Sequence, residues 1–196
     1  MEAEKHYIDE LSGAYNRRYL NEVLGREVQT LHGRRASFSL VLVDIDRFKE
    51  VNDTYGHLRG DQVIKEFSRF LRASIRPYDR IIRYGGDEFL CYMQGIGRGE
   101  SERIYQRILE RCRFRKMAGL PITISVGIAE FPEDSRDLPE LIKIADESLY
   151  DAKRSGRNRL GEIKTKHLEI PIKAFVDRQL EKERLSLYLM AAEERA

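Results

Sequence analysis

The spacing of hydrophobic residues separates predicted strands from predicted helices along this chain. Ser37–Ile45 is an almost continuous apolar run, which predicts a central strand that is covered on both of its faces. A second strand is predicted at Pro121–Phe131 and a final edge strand at Arg159–Ile163. Two short apolar runs, Asp79–Ile82 and Leu90–Met93, are typical of the paired strands of a β-hairpin.

Two consecutive glycines lie between the strands of this predicted hairpin. Gly85 and Gly86 predict a two-residue turn, because glycine alone takes positive φ without a steric cost. Asp87 and Glu88 follow directly, and carboxylates at the end of a sheet often bind metal ions or transfer protons. The alternative is a solvated acidic hairpin tip, and the motif taken alone favours that alternative.

Helical spacing occurs in the segments between the strands. Apolar residues recur every three or four positions, so that each segment carries one hydrophobic stripe. The predicted helices are Arg17–Leu31, Phe48–Tyr55, Leu58–Ile75, Ser101–Met117 and Leu138–Arg154. Gln94–Glu100 contains three glycines and is predicted to be a flexible loop. This order of elements predicts an α+β fold, with a central mixed β-sheet flanked by helices.

The two ends of the chain differ from this pattern. Residues 1–8 are polar and compatible with a helix, which predicts an N-terminal linker from an upstream domain or an added segment. Residues 9–163 form the predicted domain. In residues 164–196, Pro171 opens a predicted helix with only a rough apolar stripe, which indicates a helical extension that packs on the domain or on a partner subunit.

Composition narrows the classes of protein that the chain can represent. The 196 residues have 35% charged side chains but a formal net charge of only +2, which argues against a nucleic-acid-binding protein. No apolar run approaches the roughly 20 residues that a membrane span needs, and no signal peptide is visible. Cys91 and Cys112 lack metal-ligand spacing and are typical of thiols in a reducing compartment. We therefore predict a soluble, cytoplasmic protein.

Carboxylates also end the predicted central strand, at Asp44 and Asp46. If this strand end and the hairpin are neighbours in the sheet, the carboxylates of Asp44 and Asp87 converge. Two carboxylates and a backbone carbonyl, together with phosphate and water, form an oxygen ligand set that suits Mg²⁺. Such sites support phosphoryl or nucleotidyl transfer. The alternative is a helix cap after the strand, which is common for a single aspartate.

A basic pair ends the last predicted helix. Lys153 and Arg157 are four residues apart, so that both side chains could project from one helix face toward a triphosphate. The alternative is an ordinary basic helix C-terminus, where cations are favoured by the helix dipole. The pair taken alone favours that alternative.

Several separate blocks of residues together resemble one known family. Gly85–Phe89 spells Gly-Gly-Asp-Glu-Phe, the signature of the GGDEF domains of diguanylate cyclases. Asp9–Arg18 resembles the opening turn of that family, with Ser12 and Ala14 where Thr and Leu are more usual. Two more blocks have the family's spacing: Asp44–Lys49 with Asn52, Asp53, Gly56, His57, Gly60 and Asp61, and Asp146–Lys153 with Gly156–Asn158. Because independent blocks agree from Asp9 to Gly161, chance agreement is very improbable.

The resemblance implies a fold like the catalytic core of nucleotide cyclases and polymerase palms. It also implies a reaction in which two GTP molecules condense to cyclic di-GMP and two pyrophosphates. Each domain would bind one GTP, so activity would need a homodimer, which an upstream sensor domain could control. The alternatives are a catalytically silent module that binds cyclic di-GMP and a nonspecific nucleotidyl transferase on a related fold.

The resemblance further implies roles for individual residues. Asp44 and Asp87 would hold Mg²⁺, with Mn²⁺ as an alternative ion, and the backbone carbonyl of Ile45 would assist. Asp87 or Glu88 would take the proton from the attacking 3′-hydroxyl, and both alternatives stay open. Lys49 would hold phosphate and counter charge in the transition state. The residues implied to bind GTP are Phe48, Asn52, His57, Asp61, Lys153 and Arg157.

The chemistry of guanine supports the implied role of Asp61. A carboxylate accepts two hydrogen bonds, which matches the adjacent N1–H and N2–H₂ donors of guanine. Adenine presents a lone pair at N1, so the carboxylate would lose a partner and GTP would be preferred over ATP. His57 would lie near the sugar or order the loop, and a purely structural role for it is about equally favoured.

An additional motif precedes the hairpin. Arg76-Pro77-Tyr78-Asp79 matches the RxxD inhibitory site of the family, which binds the product. Arg76 can donate to guanine N7 and O6, and Asp79 can accept from its Watson–Crick edge. The alternative is a helix end with an incidental Arg and Asp, and the register of the motif favours the inhibitory site.

Overall fold

A four-stranded sheet forms the centre of the protein, which is described here by a computed structural model over residues 5–31 and 36–162. The strands are β1 (Phe38–Ile45), β2 (Arg80–Arg83), β3 (Glu88–Gln94), β4 (Lys116–Met117), β5 (Leu120–Pro121) and β6 (Ile124–Phe131). The sheet has the order β2-β3-β1-β6 with antiparallel pairs, and β4 pairs with β5 separately. Isolated parallel bridges join Tyr15 to Ile82 and Val126 to Leu160.

Helices cover both faces of this sheet in the described part of the chain. They are α1 (Arg17–Tyr19, a π-helical turn at Leu20–Leu24, then Gly25–Thr30), α2 (Phe48–Tyr55), α3 (His57–Arg72), α4 (Arg98–Arg113) and α5 (Leu138–Arg154). A central sheet flanked by helices confirms the predicted α+β class.

The central strand β1 separates two hydrophobic clusters, one on each face of the sheet. All eight residues of β1 are buried, as its continuous apolar run predicts. Val41 and Val43 belong to the cluster that also contains the apolar stripes of α3 and α4. Leu40 and Leu42 belong to the cluster on the opposite face, which includes the stripes of α1 and α5. Because β1 is covered on both sides, the polar residues at its end lie in a largely buried environment.

The predicted two-residue turn of the hairpin is wrong. β2 ends at Arg83 and β3 begins at Glu88, so the connection comprises residues 84–87. Neither Gly85 nor Gly86 has positive φ. The backbone N–H groups of Tyr84 and Gly85 both donate to the carbonyl of Glu88, at 2.8 and 3.1 Å, and this closes the longer loop.

The predicted boundaries of α4 are also wrong. The helix begins at Arg98 because the Glu130 carboxylate of β6 accepts a 2.8 Å hydrogen bond from the Arg98 backbone N–H. This partner is distant in sequence, and the predicted flexible loop therefore extends only to Gly97. At the other end, Met117 belongs to the β4–β5 hairpin, whose turn residues Ala118 and Gly119 both have positive φ.

Other elements differ from prediction by smaller amounts. α3 ends at Arg72 rather than Ile75, and the edge strand predicted from Arg159 is reduced to one bridge at Leu160. Residues 5–8 contact the domain, because the backbone N–H of Asn16 donates to the carbonyl of Tyr7 at 2.7 Å. The predicted extension at 164–196 lies outside the described residues.

Candidate active site

The end of β1 and the glycine-containing loop lie side by side. Asp44 is directly opposite Glu88 in the pairing of β1 with β3, and opposite Ser125 in the pairing with β6. The backbone N–H of Ile45 donates to the carbonyl of Asp87 at 3.3 Å. The structure therefore brings together three acidic residues from two separate motifs, Asp44 from one and Asp87 and Glu88 from the other.

Electrostatics at Asp44 are strongly perturbed. The residue is 7% exposed, and Lys153 Nζ contacts its Oδ2 at 2.7 Å. Burial, together with the nearby charges of Asp87 and Glu88, raises the pKa of Asp44 to about 7, although the charge and hydrogen bond of Lys153 oppose the rise. A bound cation would reduce the electrostatic repulsion among these three carboxylates.

The donors at this sheet edge fit a magnesium ion. Within residues 5–31 and 36–162, no group of three or more His, Cys, Asp or Glu side chains forms a complete protein site for a metal. A site with few protein ligands suits Mg²⁺, which keeps several waters and takes further oxygen ligands from substrate phosphates. Hard carboxylate oxygens at Asp44 and Asp87 match that preference.

Asp46 has a different role from Asp44. It is also 7% exposed, but its oxygens accept hydrogen bonds from Thr123 Oγ1 at 2.7 Å, Ser125 Oγ at 2.6 Å and the Asn158 N–H at 3.1 Å. These donors occupy the carboxylate and join the end of β1 to β6 and to the loop after α5. Asp46 is therefore occupied by protein donors, in contrast to Asp44.

The two glycines of the loop have different surroundings. A Cβ atom on Gly85 would lie 2.5 Å from Glu88 Oε2, so the missing side chain makes room for that carboxylate. At Gly86, no heavy atom of the described residues lies within 4 Å of the Cβ position. The surface over Gly86 is therefore open to a ligand that approaches the backbone.

Arg83 holds this loop in place, and sequence reasoning missed it. Its Nη2 and Nε donate to the carbonyl of Gly86 at 2.8 and 3.2 Å, and its Nη1 donates to Asp9 at 3.1 Å. Burial raises the pKa of Asp9, but hydrogen bonds from Ser12 and the charge of Arg83 outweigh it and bring the pKa below its ordinary value. Only the position of Arg83 beside the loop signals this role in the sequence.

Helices α2 and α3, which follow β1 in the chain, form a tight pair. Gly56 joins them with φ of 79°, which favours glycine. A Cβ atom on Gly60 would lie 1.9 Å from Asn52 Oδ1 and 3.1 Å from Phe48 Cζ, so both side chains pack directly on the Gly60 backbone. This contact places Asn52 against the backbone of Gly60, the residue that precedes Asp61 in α3.

The remaining predicted substrate residues lie at the surface. Lys49, His57 and Asp61 are exposed on α2 and α3, where a ligand can reach them. Arg157 is exposed as well, but α5 ends at Arg154, and Arg157 has a φ of 63° in the following loop.

The expectation that Lys153 and Arg157 share one helix face is therefore wrong. Gly156, with a φ of 110°, turns the chain away from the helix axis. Asp46 then holds the loop at Asn158.

The RxxD motif lies at a separate cavity. Arg76, Asp79, Glu100, Arg103 and Arg107 contribute to the lining of this cavity, which has a volume of about 540 Å³. Asp79 is only 1% exposed, and its Oδ2 accepts a hydrogen bond from the Arg76 N–H at 3.0 Å. One oxygen of its carboxylate thus stabilises its own turn.

Comparisons with known proteins agree with this architecture. The family model described as "Diguanylate cyclase, GGDEF domain" matches residues 6–159. The chain is 36% identical over 166 residues to the diguanylate cyclase DosC of Escherichia coli, covering 81% of this chain and 36% of DosC. It is 40% identical over 157 residues to the response regulator PleD of Caulobacter vibrioides, covering 76% of this chain and 34% of PleD. The chain thus spans about a third of the length of these relatives.

Solved structures give the same assignment. The GGDEF domain of DgcB from Caulobacter crescentus, crystallised in complex with c-di-GMP, superimposes with a TM-score of 0.72 at 30% identity, and the match covers 81% of this chain and 96% of that one. The chain belongs to the GGDEF domain family of diguanylate cyclases, as its sequence blocks predict. In the described ranges, no helix is both long and apolar enough to cross a membrane.

Proposed function

We propose that this domain is a diguanylate cyclase, which condenses two GTP molecules into cyclic di-GMP and two pyrophosphates. The observation that carries the proposal is the convergence of Asp44, Asp87 and Glu88 at one sheet edge, next to the open backbone of Gly86. Family membership and the named diguanylate cyclases among the relatives support it.

The base of GTP would bind at the junction of α2 and α3. Asp61 would accept from guanine N1–H and N2–H₂, and Asn52, held against Gly60, would contact the same base. Phe48 packs on the same glycine and would shape the floor of this site. His57 is exposed at the start of α3 and would lie near the sugar. Because adenine would leave Asp61 without a donor, the site favours GTP over ATP.

The phosphates would lie between the loop and three basic residues. Lys49 and Arg157 are exposed and would neutralise phosphate charge, with Lys49 acting on the charge that develops in the transition state. Lys153 contacts Asp44 at 2.7 Å and would share its charge with the substrate. The open surface over Gly86 allows phosphate oxygens to approach the backbone.

Asp44, Asp87 and the carbonyl of Ile45 would hold Mg²⁺ or Mn²⁺. When bound, the ion would supply charge neutralisation at the phosphates and activation of the attacking hydroxyl. Asp87 or Glu88 would accept the proton of that 3′-hydroxyl. Glu88 lies against Gly85, with Oε2 2.5 Å from that residue's Cβ position, and is thereby oriented toward the loop.

A complete reaction would need two copies of the domain. One domain offers one set of base, phosphate and carboxylate groups, whereas the product is a symmetric cyclic dinucleotide, so a homodimer would place two GTP molecules face to face. An upstream sensor domain could then control activity by controlling dimerisation. Residues 5–8 contact the opening turn and would transmit such a signal.

The direct test is the product formed from GTP. Purified dimeric protein with GTP and Mg²⁺ should give cyclic di-GMP and pyrophosphate in a 1:2 ratio, as measured by chromatography and a coupled phosphate assay. ATP in place of GTP serves as the control and should give little product. If the dimer forms no cyclic product but binds cyclic di-GMP tightly, the protein is instead a silent binding module.

We further expect product inhibition at the RxxD cavity, and Arg76→Ala should remove it. Loss of the guanidinium should raise the inhibitory concentration of cyclic di-GMP at least about 10-fold, because charge-assisted hydrogen bonds to the ligand are lost. The initial rate should change little, because β2 lies between Arg76 and the loop in the chain, and a strand of four residues spans about 13 Å. Progress curves with added product measure both quantities, and unchanged inhibition would refute the assignment.

A further inference from the structure

The arginine of the RxxD motif, Arg76, forms an ion pair with a carboxylate of α4. Arg76 Nη2 contacts Glu100 Oε1 at 2.5 Å, and Arg76 Nη1 donates to the Tyr78 hydroxyl at 3.1 Å. Glu100 lies in the first turn of α4, which begins where Glu130 accepts from the Arg98 N–H. The guanidinium is therefore held by two protein groups.

The other residues of the cavity would attract an anion. Arg103 follows Glu100 by three residues on α4 and Arg107 follows it by seven, so that all three share one side of the helix. Glu100 is the carboxylate nearest to Arg76 in this set, whereas the Asp79 carboxylate is buried. A cyclic dinucleotide with two phosphates would have to separate Arg76 from Glu100 and would be repelled by Glu100.

Asp79 is a second group in this cavity that a ligand could contact once the Arg76–Glu100 ion pair is broken. Its Oδ1 atom is buried and has no hydrogen-bond donor among the described residues, although its Oδ2 accepts from the Arg76 backbone. A buried carboxylate oxygen without a donor costs free energy, so it is a group that a ligand N–H would satisfy. Movement of the Arg76 side chain away from Glu100 would give a ligand access to this part of the cavity.

We propose that Glu100 competes with cyclic di-GMP for Arg76 and so sets the product concentration at which inhibition begins. This inference rests on the proposed inhibitory site. Glu100 acts on the ligand through Arg76, and is therefore a positioning residue rather than a ligand-binding one. A carboxylate at this position makes the enzyme less sensitive to its product than the RxxD motif alone would.

The variant Glu100→Gln tests this competition. It should bind cyclic di-GMP about 5- to 10-fold more tightly and should be inhibited at correspondingly lower product concentration, because one partly exposed ion pair no longer has to be broken. Calorimetry gives the affinity, and initial rates with added product give the inhibition. The KM for GTP and the rate without product should stay unchanged, which a general structural effect would not produce.

Glu102→Gln is the matched control. Glu102 is exposed on the same helix and its replacement makes the same change in net charge, so it should leave the affinity for cyclic di-GMP within about twofold. Equal or weaker binding by Glu100→Gln would overturn the proposal, as would equal tightening in both variants. If binding tightens only in Glu100→Gln but no variant turns over GTP, the competition stands and the proposed enzyme activity fails.

Discussion

Replacing Asp44 by asparagine is expected to reduce cyclase activity at least about 1,000-fold and, at the same time, to stabilise the protein in the absence of metal. Activity falls because a proposed metal-binding carboxylate is removed. Stability rises because the wild-type carboxylate is buried beside Asp87 and Glu88, which raises its pKa from 3.8 to about 7. Asparagine has nearly the same shape but carries no charge.

The pH dependence of this stability difference has a definite sign. The folded protein binds the Asp44 proton more tightly than the unfolded chain does, so the wild type loses stability as pH rises from about 4 to 7. The advantage of Asp44→Asn should therefore be smallest near pH 4, partly developed at pH 5 and largest above pH 7, where it is at most about 4 kcal/mol. Denaturant unfolding in EDTA at several pH values measures it, and an advantage that shrinks above pH 7 would contradict this account.

Asp46→Asn is the control, with the opposite expectation for stability. Asp46 accepts hydrogen bonds from Thr123, Ser125 and Asn158, and an amide in its place would turn an N–H₂ group toward one of these donors. This variant should lose roughly 2 kcal/mol in unfolding free energy. Two aspartates separated by one residue should thus shift the unfolding midpoint in opposite directions.

Gly86→Ala is expected to leave the fold intact and to lower kcat/KM for GTP about 100-fold, which corresponds to roughly 2.7 kcal/mol of lost transition-state stabilisation. The added methyl group would meet no heavy atom of the described residues within 4 Å, and φ at this residue is not positive. A loss of activity would therefore report a clash with the nucleotide. Steady-state kinetics and a thermal melt separate the two effects.

Gly99→Ala is the corresponding control. Gly99 also has no heavy atom of the described residues within 4 Å of its Cβ position, but it lies on α4 and outside the proposed GTP site. This variant should keep full initial activity and a similar melting temperature. Wild-type kinetics in Gly86→Ala would show that the nucleotide does not pass over this loop.

Much of the fold follows from local pattern. The apolar run at Ser37–Ile45 predicts a buried strand, and β1 is buried at every position. The predicted bounds of α2 and α5 agree with the structure, because each has a complete apolar stripe ended by a clear stop. The start of α4 could not be found in this way, because the Glu130 carboxylate that caps it comes from β6.

The candidate site was predictable to a similar extent. The Gly-Gly-Asp-Glu-Phe block and Asp44 identify the acidic cluster, because their residue types and spacing are characteristic of the family. Arg83 and Glu100 were not predicted, because arginine and glutamate are common surface residues with no local signature. Their importance depends on contacts with Asp9, Gly86 and Arg76.

The sequence by itself thus determined the family, the order of most elements and the acidic and basic residues of the proposed site. Only the tertiary structure decided that Asp44 is the carboxylate whose pKa is raised. Asp46, in contrast, accepts hydrogen bonds from several donors, one of them 79 residues away in the chain. The tertiary structure also decided that Arg76 is already paired with Glu100, 24 residues further on. The physical reason is that hydrophobic periodicity acts between near neighbours, whereas hydrogen bonds and charges act on whatever the folded chain brings within a few ångströms.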